Sequence, residues 1–181
     1  MLLYVPDMVL LEPTTMTVST IADGRPRSRT VLLKERTPQG LVFFTNLESA
    51  KGTELTAHPL VALQFLWPPL QRQVRIEGQA RLVDRSAVEA YFASRPRESQ
   101  LGAWASPQSQ VVADADELAS RYREVDERFA GRDVACPPHW GGFVVDPDRI
   151  EFWQGRPGRM HDRLRYRRRD VDQWARDRLA P

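Results

Sequence analysis

Apolar and polar residues alternate along much of the first half of the chain, which is the period of a β-strand with one buried face. Residues 15–22 alternate in this way up to Asp23-Gly24, a dipeptide typical of a hairpin turn. A second strand is predicted directly afterwards, over residues 28–35. A third is predicted over residues 41–46, where the largely apolar composition indicates burial on both faces.

A short helix and a long strand follow. Ser49 is placed to cap a helix that ends near residues 57–59, before a fourth strand over residues 61–67. Residues 72–83 then alternate over an unusual length, and Gly78 in their middle predicts a bulge or a bend. A long strand with one solvent-exposed face is typical of an antiparallel sheet that curls towards a closed barrel.

Helical periodicity replaces alternation after residue 85. Helices are predicted over residues 86–94, over residues 99–105, and from an N-cap at Asp114 to about Phe129. The remaining predicted strands cover residues 142–145, 149–153, 164–167 and 171–179, with Asp146-Pro147-Asp148 as the connection between the first two. Because tight turns join consecutive strands, the predicted fold is mainly β, an antiparallel barrel with inserted helices.

Composition limits the class of protein. A chain of 181 residues suits one domain over residues 1–181, with residues 1–11 as an irregular lead-in. A single cysteine, Cys136, excludes an internal disulfide, and neither a signal peptide nor a membrane-spanning run is recognisable, so we expect a soluble, cytoplasmic protein. The net charge of +2 does not require nucleic acid as a partner, and none is expected.

Familiar catalytic motifs are missing. The chain has no glycine-rich dinucleotide or phosphate loop, no zinc-protease helix and no hydrolase nucleophile elbow. Its three histidines, His58, His139 and His161, do not have the spacing of metal ligands on one element, so no metal is expected.

A cationic cluster lies near the C-terminus, within residues 150–163. After a break rich in glycine and proline, Arg159, His161 and Arg163 occupy alternate positions. An extended backbone would direct all three to one side, as donors for an anionic or electron-rich ligand. A solvated edge strand with an incidental histidine is the alternative interpretation.

Other groups suited to phosphate are scattered along the chain. Of 26 basic residues 24 are arginine, and the two lysines are Lys34 and Lys51. Tyr91, Arg95 and Ser99 recur every fourth residue, which would place them on one face of a continuous helix. A cofactor phosphate and a substrate phosphate would explain the lysines and the Tyr91, Arg95 and Ser99 set together. A solvated helix face is the alternative interpretation of Tyr91, Arg95 and Ser99.

Six motifs in order are similar to one known family. They are R-T-V-L-L-K (29–34), F-F-T-N (43–46), R-Q-V-R-I-E-G (72–78), Y-F-A-S-R-P-R-E-S-Q-L-G-A-W-A-S-P-Q-S (91–109), H-W-G-G-F (139–143) and the stretch at 150–163. Over about residues 12–181 the chain resembles the pyridoxine (pyridoxamine) 5'-phosphate oxidases, FMN enzymes of the split-barrel fold. The resemblance implies a homodimer with FMN at the subunit interface. It also implies oxidation of pyridoxine or pyridoxamine 5'-phosphate to pyridoxal 5'-phosphate, with O2 as acceptor and H2O2 released.

The resemblance also implies site residues. One subunit would hold FMN through Arg29, Thr30, Val31, Leu32, Leu33, Lys34, Phe44, Thr45, Lys51 and Gln73, and the other through Gln108, Ser109, Trp153 and Arg163. The substrate would contact Lys34, Tyr91, Arg95, Ser99, Arg159 and His161. Arg159 and His161 would be the catalytic pair that orients the pyridine ring.

The chain departs from the family in two places. Ala50 stands where many members have an arginine before the lysine, and nothing before Glu12 matches the family's N-terminal segment. Two alternatives stay open: a split-barrel flavin oxidase of another small molecule, of the phenazine-pathway type, and a non-enzymatic flavin-binding or basic interaction protein that uses residues 163–169.

Overall fold

The structure is a computed structural model and describes residues 12–181. The predicted lead-in over residues 1–11 lies outside the described residues. The strands are β1 (Thr15–Ala22), β2 (Arg25–Leu32), β3 (Glu35–Thr37), β4 (Gly40–Asn46), β5 (Leu60–Trp67), β6 (Arg72–Leu82), β7 (Trp140–Gln154), β8 (Asp162–Asp170) and β9 (Gln173–Arg178). The helices are α1 (Ala50–Ala57), α2 (Arg85–Ala93), α3 (Arg97–Ala105) and α4 (Ala115–Arg128), with short 3-10 turns at Pro68–Leu70 and Pro157–Arg159.

The sheet forks at β7. The strands pair antiparallel in the order β2-β1-β5-β6-β7-β4-β3, and β8 with β9 joins β7 as a branch. β6 pairs along most of β7, whereas β4 pairs only with its first part, from Trp140 to Val145, and β8 only with its last part, from Arg149 to Gln154. The mainly β, antiparallel fold predicted from the alternation is therefore confirmed, and β7 is the strand that divides it.

A bulge makes this fork possible. The register between β6 and β7 shifts between Glu77 and Gly78, as the glycine predicts, and Pro147 lies opposite Gly78. A side chain on Gly78 would approach the Asp146 carbonyl oxygen to 2.1 Å, so glycine is required there. The prediction that residues 146–148 separate two strands is wrong, because a proline at a bulge interrupts the hydrogen-bonded ladder only locally.

The first hairpin, β1 and β2, is joined by the turn that Asp23-Gly24 predicts. β1 has the predicted bounds, and Asp23 and Gly24 have φ of 52° and 68°, the left-handed backbone that a tight hairpin requires. The predicted second strand over residues 28–35 is corrected: β2 begins directly after the turn and ends at Leu32. The chain changes partner there, since β2 pairs with β1 while β3 pairs with β4.

Two apolar clusters hold the molecule together. The first lies on the sheet and includes Phe43 and Phe143, each at most 1% exposed, with Leu55 of α1 packed among them. The second lies under the helices and joins Phe92 of α2 to Leu101 of α3. Burial of apolar side chains on this scale is the main stabilising term of such a fold, and here it fixes α2 and α3 beside the sheet.

Helices α1 and α4 begin at their predicted caps. The Ser49 hydroxyl accepts a hydrogen bond from the Gly52 N–H in α1, and the Asp114 carboxylate accepts one from the Glu117 N–H in α4. α2 and α3 begin at residues 85 and 97, slightly before the predicted starts. Among residues 12–181, no helix is both long enough and apolar enough to cross a membrane.

The last two strands are joined by an ion pair that should respond to acid. Asp177 on β9 accepts hydrogen bonds from Arg167 at 2.8 Å and from Arg165 at 3.0 Å. These bonds lower the pKa of Asp177 from 3.8 to about 2. Because the folded-state pKa lies below the unfolded one, this stabilisation is complete above about pH 4 and is lost as the pH falls towards 2.

Asp177→Asn should therefore flatten the dependence of stability on pH between about pH 4 and 2. Urea denaturation at constant ionic strength, repeated across this range, measures the effect. Identical slopes for the wild type and the variant would mean that the ion pair contributes nothing to the folded state.

Candidate functional site

Distant stretches of sequence converge on one cavity of about 390 Å³. Its lining consists of Thr30, Val31, Leu32, Lys34, Phe44, Thr45, Lys51, Tyr91, Arg95, Pro96, Ser99, Gln108 and Trp140. All of these except Pro96 and Trp140 are residues that the sequence analysis assigned to a flavin or a substrate. A larger cavity, of about 540 Å³, adjoins it and shares Lys34, Phe44 and Tyr91. The smaller one is the better candidate for an anionic ligand, because Lys51 and Arg95 line it and not the larger one.

Lys51 occupies the first turn of α1, next to the strand end that carries Thr45. Its ammonium group donates to the Gln108 side-chain oxygen at 2.9 Å, to the Thr45 hydroxyl at 3.1 Å and to the Ser49 hydroxyl at 3.3 Å. Burial lowers the pKa of Lys51, and nearby Arg29 lowers it further. All three contacts are neutral oxygens, so the charge of Lys51 remains available to an anion.

Gln108 contacts Lys51 and Thr45 of its own chain. The assignment of Gln108 to the half of the flavin site that comes from the other subunit stays a prediction. The segment after α3 returns to the end of β4, which local sequence patterns do not reveal. Ser109 beside it is exposed and has a left-handed φ of 72°. Leu33 packs against the first apolar cluster, and neither Ser109 nor Leu33 lines the cavity.

The corner between α2 and α3 supplies the other polar wall. Tyr91, Arg95 and Ser99 do not lie on one continuous helix, because Pro96 separates α2 from α3. All three nevertheless line the cavity. The Tyr91 ring stacks on Phe44 with centroids 3.9 Å apart and planes within 9°, which fixes its position.

Arg95 is held by aromatic rings. Its guanidinium carbon lies 4.2 Å from the centre of the Trp140 ring and 5.6 Å from that of Phe92. Burial lowers the pKa of Arg95, and its Nη1 atom is buried with no hydrogen-bond partner among residues 12–181. A buried, unsatisfied cationic donor is costly, and a phosphate group in the cavity is the type of ligand that compensates it.

Arg29 does not line the cavity, although the sequence analysis assigned it to FMN. Its guanidinium donates to the Glu54 carboxylate at 2.6 Å and to the Thr20 hydroxyl. Glu54 is only 8% exposed and also accepts from Thr20. No sequence motif marks Glu54, whose one signal is an acidic residue three positions after Lys51. This buried group ties α1, and therefore Lys51, to β1 and β2.

Glu54→Gln should lower the free energy of unfolding by about 3 kcal/mol, because it leaves the half-buried Arg29 cation without its carboxylate. Urea denaturation measures this loss. Glu89→Gln is the matched control, since Glu89 forms an exposed ion pair with Arg85 on α2 and should change stability by less than about 1 kcal/mol. Similar losses in both variants would contradict the assigned role of Glu54.

A second group of predicted residues lies together on β6, β7 and β8. Gln73 pairs with Trp153 across the β6–β7 ladder, and Trp153 pairs with Arg163 across the β7–β8 ladder. Gln73 and Trp153 also line a cavity of about 280 Å³. Arg163 donates to Glu151 at 2.8 Å, and this hydrogen bond lowers the pKa of Glu151. The prediction assigns Gln73 and Lys51 to the same subunit's half of the FMN site. Within one chain, however, Gln73 lies beside Trp153 and does not line the cavity that contains Lys51.

The predicted extended Arg159-x-His161-x-Arg163 segment is wrong at its first residue. Gly158 and Arg159 have φ of 64° and 60°, so the chain turns there and β8 begins only at Asp162. The His161 ring lies 4.8 Å from the Trp153 ring, and its Nδ1 accepts the Arg156 backbone N–H at 3.1 Å. A neutral His161 therefore carries its proton on Nε2, which is left as a donor.

The forked antiparallel sheet defines the class, a split-barrel protein, and its cavity is lined by the cations Lys34, Lys51 and Arg95. Residues 7–129 match the family described as pyridoxamine 5'-phosphate oxidase. Residues 140–181 match the pyridoxine 5'-phosphate oxidase C-terminal dimerisation region. The chain belongs to the pyridoxine/pyridoxamine 5'-phosphate oxidase family, as the six motifs predict, and the match starts before Glu12.

Relatives of known name agree with this assignment. The chain is 54% identical to the pyridoxine/pyridoxamine 5'-phosphate oxidase of Pseudomonas syringae pv. tomato, over 94% of this chain and 80% of the relative. It is 55% identical to the protein of the same name from Microcystis aeruginosa, with the same coverage.

Two solved structures share the fold. PhzG from Burkholderia lata, in complex with tetrahydrophenazine-1-carboxylic acid, has a TM-score of 0.87 at 29% identity and covers 93% of this chain and 83% of its own. A pyridoxamine 5'-phosphate oxidase-related, FMN-binding protein from Nostoc punctiforme has a TM-score of 0.77 at 19% identity, over 95% of this chain and 90% of its own. The predicted split-barrel fold is confirmed.

Proposed function

We propose that this protein is an FMN-dependent oxidase that converts pyridoxine 5'-phosphate or pyridoxamine 5'-phosphate to pyridoxal 5'-phosphate. The observation that carries the proposal is the unsatisfied, half-buried Arg95 cation, which lines a cavity together with Lys34, Tyr91 and Ser99. Membership of the oxidase family supplies the reaction class.

The substrate phosphate binds at the α2–α3 corner. Lys34 and Arg95 provide two positive charges for a dianion, and Tyr91 and Ser99 provide two hydroxyl donors. The Tyr91 ring is fixed by its stack on Phe44, so this donor is in place before the ligand arrives. Holding the phosphate positions the rest of the substrate for reaction, which is worth a large part of a catalytic barrier.

The cofactor phosphate binds at Lys51. The donor set there fits FMN, since the ammonium group contacts only neutral oxygens, those of Gln108, Thr45 and Ser49, and has no bound carboxylate to displace. Thr30, Val31, Leu32 and Phe44 form the neighbouring wall. When bound, FMN would supply the redox chemistry, taking two electrons and two protons from the substrate and passing them to O2 to give H2O2.

Arg159 and His161 orient the pyridine ring. His161 donates from Nε2, because its Nδ1 is occupied by the Arg156 N–H. Arg159 supplies a positive charge, and no ion pair engages it among residues 12–181. The two donors bind the ring's hydroxyl oxygen and so hold the ring in its reactive orientation.

We further propose that the enzyme is a homodimer with FMN at the subunit interface. The cavity that contains Lys51 is not lined by Gln73, Trp153, Arg159, His161 or Arg163. Four of these five lie in the matched dimerisation region at residues 140–181, so a second copy can supply them. We also propose a cytoplasmic location, which a single, unpaired cysteine supports.

Hybrid dimers test the shared site. At an FMN concentration that saturates the wild type but not Lys51→Met, Lys51→Met and Arg159→Ala should each be nearly inactive. The two variants are then mixed, dissociated and reassociated. If the partner subunit supplies Arg159 to the Lys51 site, half of the sites in each hybrid are intact, and about a quarter of wild-type activity returns. Absence of any recovery, with hybrid formation verified by mass, would place all these residues in one subunit.

Purified protein tests the function. Its visible spectrum should show bound flavin, and addition of pyridoxine 5'-phosphate should start oxygen uptake. A yellow protein that consumes no oxygen with either phosphorylated substrate would refute the substrate assignment.

The likeness to PhzG favours a second candidate, oxidation of a phenazine precursor. The ligand in that structure is a carboxylic acid, whereas the present cavity combines Lys34, Tyr91, Arg95 and Ser99 in the manner expected for a phosphate. Dependence of oxygen uptake on the substrate's phosphate group separates the two candidates.

A further inference from the structure

Arg95 is a half-buried cation whose stabilising contacts are aromatic. It forms no ion pair among residues 12–181, while most other arginines in contact with the strands do, for example Arg29 with Glu54 and Arg163 with Glu151. Its contacts with Trp140 and Phe92, at 4.2 and 5.6 Å, are of the cation–π type. The site therefore retains the positive charge instead of neutralising it.

Trp140 is placed to provide this support. It opens β7, pairs with Asn46 of β4 and lines the cavity with Arg95. Its ring packs edge-on against Phe92 with centroids 5.9 Å apart, so its face towards Arg95 is fixed by the second apolar cluster. A carboxylate at this position would neutralise Arg95 and would also repel an incoming phosphate.

We propose that Trp140 is a positioning residue for the phosphate group of the ligand: its ring holds the Arg95 guanidinium in the cavity with the charge unpaired and thereby sets the preference for phosphorylated over unphosphorylated ligands. This inference rests on the proposed function, since it takes the phosphate to be that of the substrate or product. It goes beyond that function because it gives a role to a residue that neither contacts the reacting atoms nor carries charge.

The test compares pyridoxal 5'-phosphate with pyridoxal as ligands of the FMN-loaded protein, by calorimetric titration without turnover. Trp140→Leu should weaken binding of the phosphorylated ligand about tenfold and leave that of pyridoxal unchanged. Trp140→Phe retains an aromatic face and should show a smaller loss. If the leucine variant does not fold, the phenylalanine variant still has to reduce the preference by about two- to threefold.

Trp104→Leu is the matched control. Trp104 belongs to the same apolar cluster and has Arg128 over its ring at 4.7 Å, but it does not line the cavity. It should lower the melting temperature as Trp140→Leu does and leave the ligand preference intact. In an Arg95→Met background, Trp140→Leu should cause no further loss of preference, because its effect is exerted through Arg95.

Three results are decisive. A preference that falls in Trp140→Leu but not in Trp104→Leu supports the inference. Wild-type protein that prefers the phosphorylated ligand while Trp140→Leu retains that preference overturns the inference and leaves the proposed function standing. Wild-type protein without any preference overturns both.

Discussion

Arg159→Ala should lower the turnover number for pyridoxine 5'-phosphate by about 100-fold, the cost of displacing a bound substrate from its reactive position by about 1 Å, and should leave the FMN content unchanged. Arg159 is exposed in a turn with a left-handed backbone and does not line the cavity around Lys51. Its removal should therefore spare the fold and the proposed FMN phosphate site. Steady-state oxygen uptake gives the turnover, and flavin absorbance per protein gives the FMN content.

Arg169→Ala is the control for this prediction. Arg169 is also exposed, lies on β8 and has no ion pair among the described residues. Its loss should change neither the turnover number nor the FMN content. If Arg159→Ala loses flavin in proportion to activity, then Arg159 acts on cofactor binding and its assignment to the substrate is incorrect.

Lys51→Met should weaken FMN binding by about 100-fold, at the upper range for loss of a hydrogen-bonded charge. The residue before Lys51 is Ala50, so this position adds no second cation, and in the proposed site Lys51 would carry the charge that faces the FMN phosphate. Burial and Arg29 already lower the pKa of Lys51, and an FMN phosphate would compensate this cost. Quenching of FMN fluorescence on titration with apoprotein measures the dissociation constant.

Arg36→Met is the control for Lys51→Met, since Arg36 is exposed on β3 and does not line the cavity. It should leave FMN affinity unchanged. Unaltered FMN affinity in Lys51→Met, combined with a raised KM for the substrate, would contradict the proposal. It would mean that Lys51 binds the substrate phosphate and that the α2–α3 corner binds the FMN phosphate.

The sequence predicts those features of the fold that depend on a few neighbouring residues. The turn at Asp23-Gly24, the Ser49 cap and the Gly78 bulge were predicted because each depends on a few adjacent residues. The continuity of β7 was missed because its partners β6 and β4 lie more than 50 residues away, and their hydrogen bonds outweigh the disruptive effect of Pro147.

The residues of the candidate site also divide into those that the sequence identifies and those that only the structure reveals. Residue types and family motifs identified Lys34, Lys51, Arg95 and Gln108, which converge on one cavity. Trp140 and Glu54 were missed because an aromatic support and a buried counter-ion are recognisable only from their neighbours in space. The H-W-G-G-F motif did contain Trp140, but its role depends on Arg95, 45 residues earlier in the chain.

The central claim is that this chain oxidises a phosphorylated pyridine by means of bound FMN. Anaerobic mixing of the FMN-loaded protein with pyridoxine 5'-phosphate tests it most directly, with flavin absorbance and pyridoxal 5'-phosphate measured together. We expect the flavin to bleach and pyridoxal 5'-phosphate to form in an amount equal to the flavin reduced. Flavin that remains oxidised with both pyridoxine and pyridoxamine 5'-phosphate, in a folded protein, would contradict the account.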